Sequence, residues 1–299
     1  MIKYIDEMLS IVDIDDLKKK FIEFEAKLST FSDEELPAKI KDAILFDNKG
    51  SKVSFFQSEG REYQKGVIFY RVRRLSPSSI KLKYQDFWEP PEHAVGYGRL
   101  NKPKERLLYL TPEEPSTPIE EVGVLEGEPF LLICYVSIDV INVFGLGFGG
   151  LITEGLSKDS LIKLQLIKDF IDRNFLSDRN LAYKVSSVIA SDICDFNYDG
   201  WVYPSVANKG GENVCLKLSA KNKLKIEAAF ICRLENGQIR TNYSISVGET
   251  IQVFNDWDSN NSKAKSILNN LFKINKESFA ADRKDKQLRE DIGFPIKLI

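Results

Sequence analysis

The sequence predicts an α+β fold, and three observations carry that prediction. Short runs rich in aromatic and β-branched residues recur through the middle of the chain. Helical stretches precede and interrupt them. Their order lacks the strict strand and helix alternation of a doubly wound parallel sheet. With 299 residues, 43% of them hydrophobic, the chain can bury a substantial core.

The first expected element is a helix, because Ile14, Leu17, Phe21, Phe24 and Leu28 recur at alternating three- and four-residue spacings. A second helix is announced by "SDEE", where Ser32 can cap and Glu35 can reach back to complete a capping box. Together they define an N-terminal helical segment, residues 1–48. From "KVSFFQS" onward the texture turns to strands: "VIFYRV" (67–72), "RLLYLT" (106–111), "FLLICYVSI" (130–138), "WVYPSV" (201–206), "VCLKLS" (214–219) and "AAFICRL" (228–234). Two helices lie between them. One is "DSLIKLQLIKDFIDRNF" (159–175), with Ser157 or Asp159 as its cap. The other is "LAYKVSSVIASDIC", with Leu181, Val185, Val188, Ile189 and Ile193 on one face. This makes residues 49–235 the main domain. Residues 236–299 form a more polar C-terminal extension: strand-like "YSISVGETIQVF" (243–254), then "NDWDSNNSK", then a charged helix ending in "ADRKDKQLRED".

Several function classes are disfavoured. The 42 basic and 44 acidic residues leave a net charge of −2, so no global positive field draws the chain to nucleic acid or an anionic membrane. Asp6, Glu7, Asp13, Asp15 and Asp16 break up the first apolar residues, which a secretory signal would not tolerate. The most apolar window, residues 129–152, contains Asp139, Asn142 and a cluster of glycines, and reads as a buried strand followed by a loop. Cys134, Cys194, Cys215 and Cys232 lie far apart, and the single histidine, His93, is near none of them. No metal site or redox pair is expected; they read as reduced core cysteines of a cytoplasmic protein.

Five stretches bear on chemistry. "GLGFGG" spells the dinucleotide fingerprint through Gly145, Gly147 and Gly150, but "LITEGLSK" stands between the glycines and the next helix cap. The fingerprint needs the helix N-terminus at the glycines, so a flexible loop is the better reading. In "FYRVRRL", Arg71 and Arg73 alternate with Tyr70 and Val72 and share one face of a strand. A guanidinium facing a cleft suits phosphate oxygens. "YGRLNKPKERLLYL" sets Arg99 and Asn101 before a proline turn and a strand carrying Tyr109. In "STPIEEV", Thr117 as cap, Pro118 and Glu120 make a capping-box start, which leaves Glu121 free to face elsewhere. Ser205 follows the strand "WVYP" with no histidine nearby to activate it.

The order of these blocks is more specific than any one of them. "FYRVRRL", then "GRLNKPKERLLYLTPEEPSTPIEEV", then "ASDICDFNYDGWVYPSV" and "ENVCLKL" resembles the RES domain family across roughly residues 65–235. By that resemblance Arg71, Glu121 and Ser205 are the catalytic residues, while Arg99, Asn101, Tyr109 and Asn213 bind substrate. The family implies an ADP-ribosyltransferase-like mixed-sheet core with flanking helices. It implies NAD⁺ as substrate, with no further cofactor: phosphorolysis or hydrolysis of the nicotinamide–ribose bond, or transfer of ADP-ribose to a protein. Inorganic phosphate, an antitoxin or other regulatory protein, and a second copy of the chain are the partners it suggests. The resemblance gives Arg71 the pyrophosphate, Arg99 a second anionic contact, Ser205 a hydrogen bond to ribose or nicotinamide, and Tyr109 a stacking role. A non-catalytic nucleotide-binding module on the same fold is the alternative. The chain departs from compact members of the family by its extensions at both ends.

Overall fold

The computed structural model describes residues 2–48, 51–54, 60–75, 80–112, 114–147, 155–175, 180–248, 251–255 and 296–298. In chain order these form α1 (Ile2–Ser10), α2 (Ile14–Lys27), α3 (Leu36–Ile44), β1 (Leu45–Asn48), β2 (Ser51–Ser54), β3 (Gly60–Tyr63), β4 (Ile68–Arg74), β5 (Ile80–Leu82), β6 (Leu107–Pro112), α4 (Ser116–Val122), β7 (Pro129–Ser137), β8 (Ile141–Gly145), α5 (Lys158–Phe175), α6 (Asn180–Val188), β9 (Gly200–Pro204), β10 (Glu212–Lys217), β11 (Leu224–Glu235), β12 (Gln238–Val247), β13 (Ile251–Asn255) and β14 (Ile296–Leu298). The chain is an α+β protein. It divides into two units that interleave along the sequence. One comprises Met1–Arg61, Pro91–Leu107 and Asn142–Val206; the other comprises Glu62–Pro90, Leu108–Ile141 and Ala207–Ile299.

In the first unit, the apolar stripe of α2 buries Leu17, Phe21 and Phe24. Asp13 starts the helix by accepting from the Asp15 and Asp16 amides at 2.8 and 3.1 Å. Phe21 stacks on Phe170 of α5 with ring centroids 4.0 Å apart, and Phe24 meets the same ring edge-on at 5.5 Å. A third helix, α1, was not anticipated. It is tied to the start of α5, where the Ser157 amide and hydroxyl donate to Asp6 at 3.0 and 2.8 Å and the buried Lys163 donates to the Leu9 carbonyl at 3.1 Å. Ser157 also caps α5 as expected, accepting from the Ser160 amide. The Ser32–Glu35 reciprocal bonds form, but in the turn ahead of α3, which opens at Leu36. The expected single helix over residues 181–194 is α6 followed by a π-helical turn, Ile189–Ile193. Strands β8 and β9 pair in parallel, Phe144 opposite Trp201. Gly145 ends β8 and Gly147 takes a positive φ of 78°. Among the described residues the next helix after Gly147 is α5, which begins at Lys158; Gly150 lies outside the described residues.

The second unit is built on consecutive strands in the order β13-β12-β11-β7-β4-β6-β10. The pairings β12/β13, β11/β12, β7/β11, β4/β7 and β4/β6 are all antiparallel. Strand β7 explains its uninterrupted apolar run: residues 130–135 are buried on both faces, as a central strand requires. Helix α4 covers one face of this sheet. Its Ile119, with Val124 beyond its end, packs with Tyr70 and Val72 of β4, Phe130, Leu132 and Cys134 of β7, and Phe230 of β11. The extension's strand-like stretch is realised as β12 and β13, whereas the expected charged helix falls outside the described residues. All four cysteines are buried thiols outside any disulfide, and burial raises the thiol pKa of Cys194 to about 12. Among the described residues no helix is long and apolar enough to cross a membrane.

Candidate active site

Alternation along β4 sorts its side chains. Tyr70 and Val72 enter the core under α4, so Arg71 and Arg73 leave from the opposite face, sharing one side as their spacing required. Arg73 pairs with Asp86. The Tyr135 hydroxyl donates to the Phe87 carbonyl, and Arg71 stands near enough to that phenol to act on it electrostatically. Burial drives the Tyr135 phenol far above its ordinary pKa, while the Arg71 charge and hydrogen bond pull the other way. The second terminal nitrogen of the guanidinium, Nη1, is sealed from solvent and meets no acceptor among the described residues.

Arg71 also marks a fork. Pairing between β4 and β6 covers Phe69 with Pro112 and Tyr70 with Thr111, and stops there. On its other side β4 stays paired with β7 through Arg74. Arg71 is therefore the first residue of β4 past the point where β6 departs. Tyr109, two residues from Thr111 on β6, is half-buried and shares the Thr111 face, the one that α4 covers.

Glu121 and Asn213 are brought together. Asn213, buried on β10, donates from Nδ2 to Oε1 of Glu121 at 2.6 Å. The carboxylate is exposed on α4. The capping box expected here does not form: α4 starts at Ser116, its N-cap is Pro115, and no side chain caps it. Thr117 lies inside the helix, buried, and its Oγ1 accepts from Asn208 Nδ2 at 3.0 Å. That long-range donor takes the oxygen which the local motif would have used. Glu120 is exposed, and its side chain makes no N-terminal cap. Gly123 ends the helix in the left-handed region, with φ 64°.

Compared with protein-family models, curated proteins and solved structures, the chain matches none.

Arg99, Asn101 and Ser205 belong to the first unit. Arg99 is buried, its guanidinium 5.3 Å from the Tyr183 ring centroid and 5.8 Å from that of Tyr203. Asn101 commits its amide nitrogen to its own loop, donating to the Gly96 and Lys102 carbonyls at 2.8 and 3.0 Å. It orders the turn that carries Arg99. Lys102 anchors the same loop through a bidentate pair with Asp192 on the π-helical turn. Ser205 directly follows β9 and is 9% exposed.

Sequence reasoning missed Tyr135, Tyr183 and Asn208 as parts of these arrangements, and took Thr117 for a cap. Tyr135 sits in a run that reads as core. Only pairing across the sheet reveals Tyr135, two positions along β7 from the partner of Arg71.

Proposed function

We propose that the protein cleaves the bond between nicotinamide and ribose in NAD⁺, on a RES-type, ADP-ribosyltransferase-like fold. The observation that carries this reading is Glu121, an exposed carboxylate oriented by a buried amide at 2.6 Å. The electron pair of the breaking C–N bond goes to the pyridinium nitrogen, and nicotinamide leaves as a neutral ring that needs no proton. The demand falls instead on the ribosyl oxocarbenium ion left behind, the same species that glycosidases hold beside a carboxylate. A preorganised negative charge stabilises it. An oxygen of phosphate, water or a protein hydroxyl then bonds to the sugar carbon, and Glu121 accepts the proton the nucleophile gives up.

Arg71, with a guanidinium nitrogen still open to an acceptor, is matched to the pyrophosphate. A chain of this chemistry acts as a toxin-like NAD⁺-depleting enzyme of the cytoplasm, with an antitoxin or other regulatory protein as its partner.

The test is nicotinamide release from NAD⁺ by purified protein. Glu121→Gln keeps the Asn213 contact and removes the charge, and is expected to slow release about 100-fold or more. Glu120→Gln should stay close to wild type. Equal rates for wild type and Glu121→Gln overturn the assignment. Mass spectrometry with phosphate present separates ADP-ribose-1″-phosphate, ADP-ribose and modified protein. NAD⁺ binding without nicotinamide release favours a non-catalytic module.

A further inference from the structure

We infer that Asn208 is a positioning residue for Glu121: through Thr117 it fixes the roll of α4, and so the direction of the carboxylate one turn further on. That Glu121 serves the reaction rests on the NAD⁺ reading; the clamp on α4 does not.

Thr117 and Glu121 stand four residues apart on α4, about 40° from one another round its axis. They share one side. Both meet the segment that runs into β10: Asn208 Nδ2 donates to Thr117 Oγ1 at 3.0 Å, and Asn213 Nδ2 donates to Glu121 Oε1 at 2.6 Å. The chain between these two donors is itself held in shape. The Gly211 amide donates to the Asn208 carbonyl at 3.0 Å, closing a turn in which Gly210 takes a positive φ of 94°. Gly211 then passes so near Thr117 that a Cβ would lie 2.7 Å from its hydroxyl oxygen. The two amides therefore reach α4 from one hydrogen-bonded segment, a single helical turn apart.

Helix α4 depends on such contacts for its orientation. It spans seven residues and no side chain caps its start, and a helix that short has little stability of its own. Ile119, about 200° round the axis from Thr117, is buried in the core against β4 and β7. The helix is thus held from opposite sides, by apolar packing on one and by two amides on the other. A hydrogen bond at Glu121 orients one carboxylate oxygen; a second contact one turn away also sets the roll of the helix beneath it. Thr117 is 1% exposed, so its bond to Asn208 is shielded from competing water. A carboxylate that faces a developing cation gains from that second constraint, since small misplacements of a charged group cost rate steeply.

The experiment compares wild type, Asn208→Ala and Thr117→Val, each alone and in the Glu121→Gln background. It reads nicotinamide release from NAD⁺ and, by two-dimensional NMR, the Asn213 side-chain amide signal, assigned by its absence in Asn213→Ala. Thr117→Val retains the β-branched shape and removes the acceptor, a second route to the same loss should Asn208→Ala unfold. Each substitution should lower kcat about 5-fold with KM for NAD⁺ little changed, and should move the Asn213 signal, which reports on the bond to the carboxylate. In the Glu121→Gln background neither should slow the residual rate further, because the charge they orient is gone. Unchanged kcat in both variants, or an equal fold-loss in both backgrounds, overturns the positioning role and leaves the reaction standing. Wild type that releases no nicotinamide removes the reaction instead. The Asn213 signal then decides the clamp, which is supported where the signal moves in the variants and overturned where it does not.

Discussion

Asn213 holds Glu121: the buried amide on β10 donates to the exposed carboxylate on α4 at 2.6 Å. A hydrogen bond to an ionised acceptor is short and directional, so it sets where the negative charge points. Asn213→Ala is expected to lower kcat for nicotinamide release by about 10-fold with a smaller change in KM, because it removes a hydrogen bond that orients the carboxylate. Asn213→Asp puts two carboxyl groups within contact. One of them then holds its proton to higher pH, and the acid limb of the rate profile moves up. Steady-state kinetics across pH check both. An unchanged kcat in both variants rules out a positioning role for Asn213.

Gly211 is the tightest point of the segment that leads into β10. A Cβ there would lie 2.7 Å from Oγ1 and 3.0 Å from Cγ2 of Thr117, and 3.3 Å from the Asn208 carbonyl. Thr117 is buried and holds Asn208, so it cannot simply swing aside. Gly211→Ala should destabilise the protein by about 1–3 kcal/mol through overpacking. Adding Thr117→Ala removes the clashing atoms and should recover part of that loss, a coupling that a double-mutant cycle measures by denaturant unfolding. Fully additive losses would show that the two residues do not press on one another.

Asp6 makes the first unit sensitive to acid. Hydrogen bonds from the Ser160 side chain and from the Ser157 amide and hydroxyl, with the Lys163 charge, hold its carboxyl below the ordinary value of 3.8, against a small opposing effect of burial. Asp33 is lowered likewise, by Lys184 and then Tyr97. A folded-state pKa below the unfolded one means that folding favours the ionised form. The contribution is complete above the ordinary value and disappears as pH falls through the lowered one. Asp6→Asn should therefore be less stable than wild type at neutral pH, with the gap closing below about pH 4. Urea unfolding at a series of pH values reads this directly. A gap that persists undiminished at about pH 2.5 contradicts the assignment.

Much of the secondary structure was legible because it depends on near neighbours. The stripe Leu17, Phe21, Phe24 could only be satisfied by a helix with one buried face. The apolar run of β7 demanded a strand covered on both sides. Arg71 and Arg73 had to share a face once Tyr70 and Val72 turned inward. Thr117 was misread for the same reason that these were read well. "STPIEEV" is locally consistent with a cap, whereas the Thr117 hydroxyl accepts from Asn208, distant in sequence, and the helix starts two residues earlier, at Ser116.

Periodicity and residue type by themselves determined that this chain folds as helices and strands around buried aromatic and aliphatic stripes, since each pattern reports on a few adjacent backbone positions. Tertiary structure decided which polar groups meet. Asn213 reaches Glu121, Arg71 reaches Tyr135, and Asn208 reaches Thr117 because strand order and register bring together residues that no local rule links. Hydrogen bonds act over about 3 Å, whereas the chain separations they bridge here are set by the sheet as a whole.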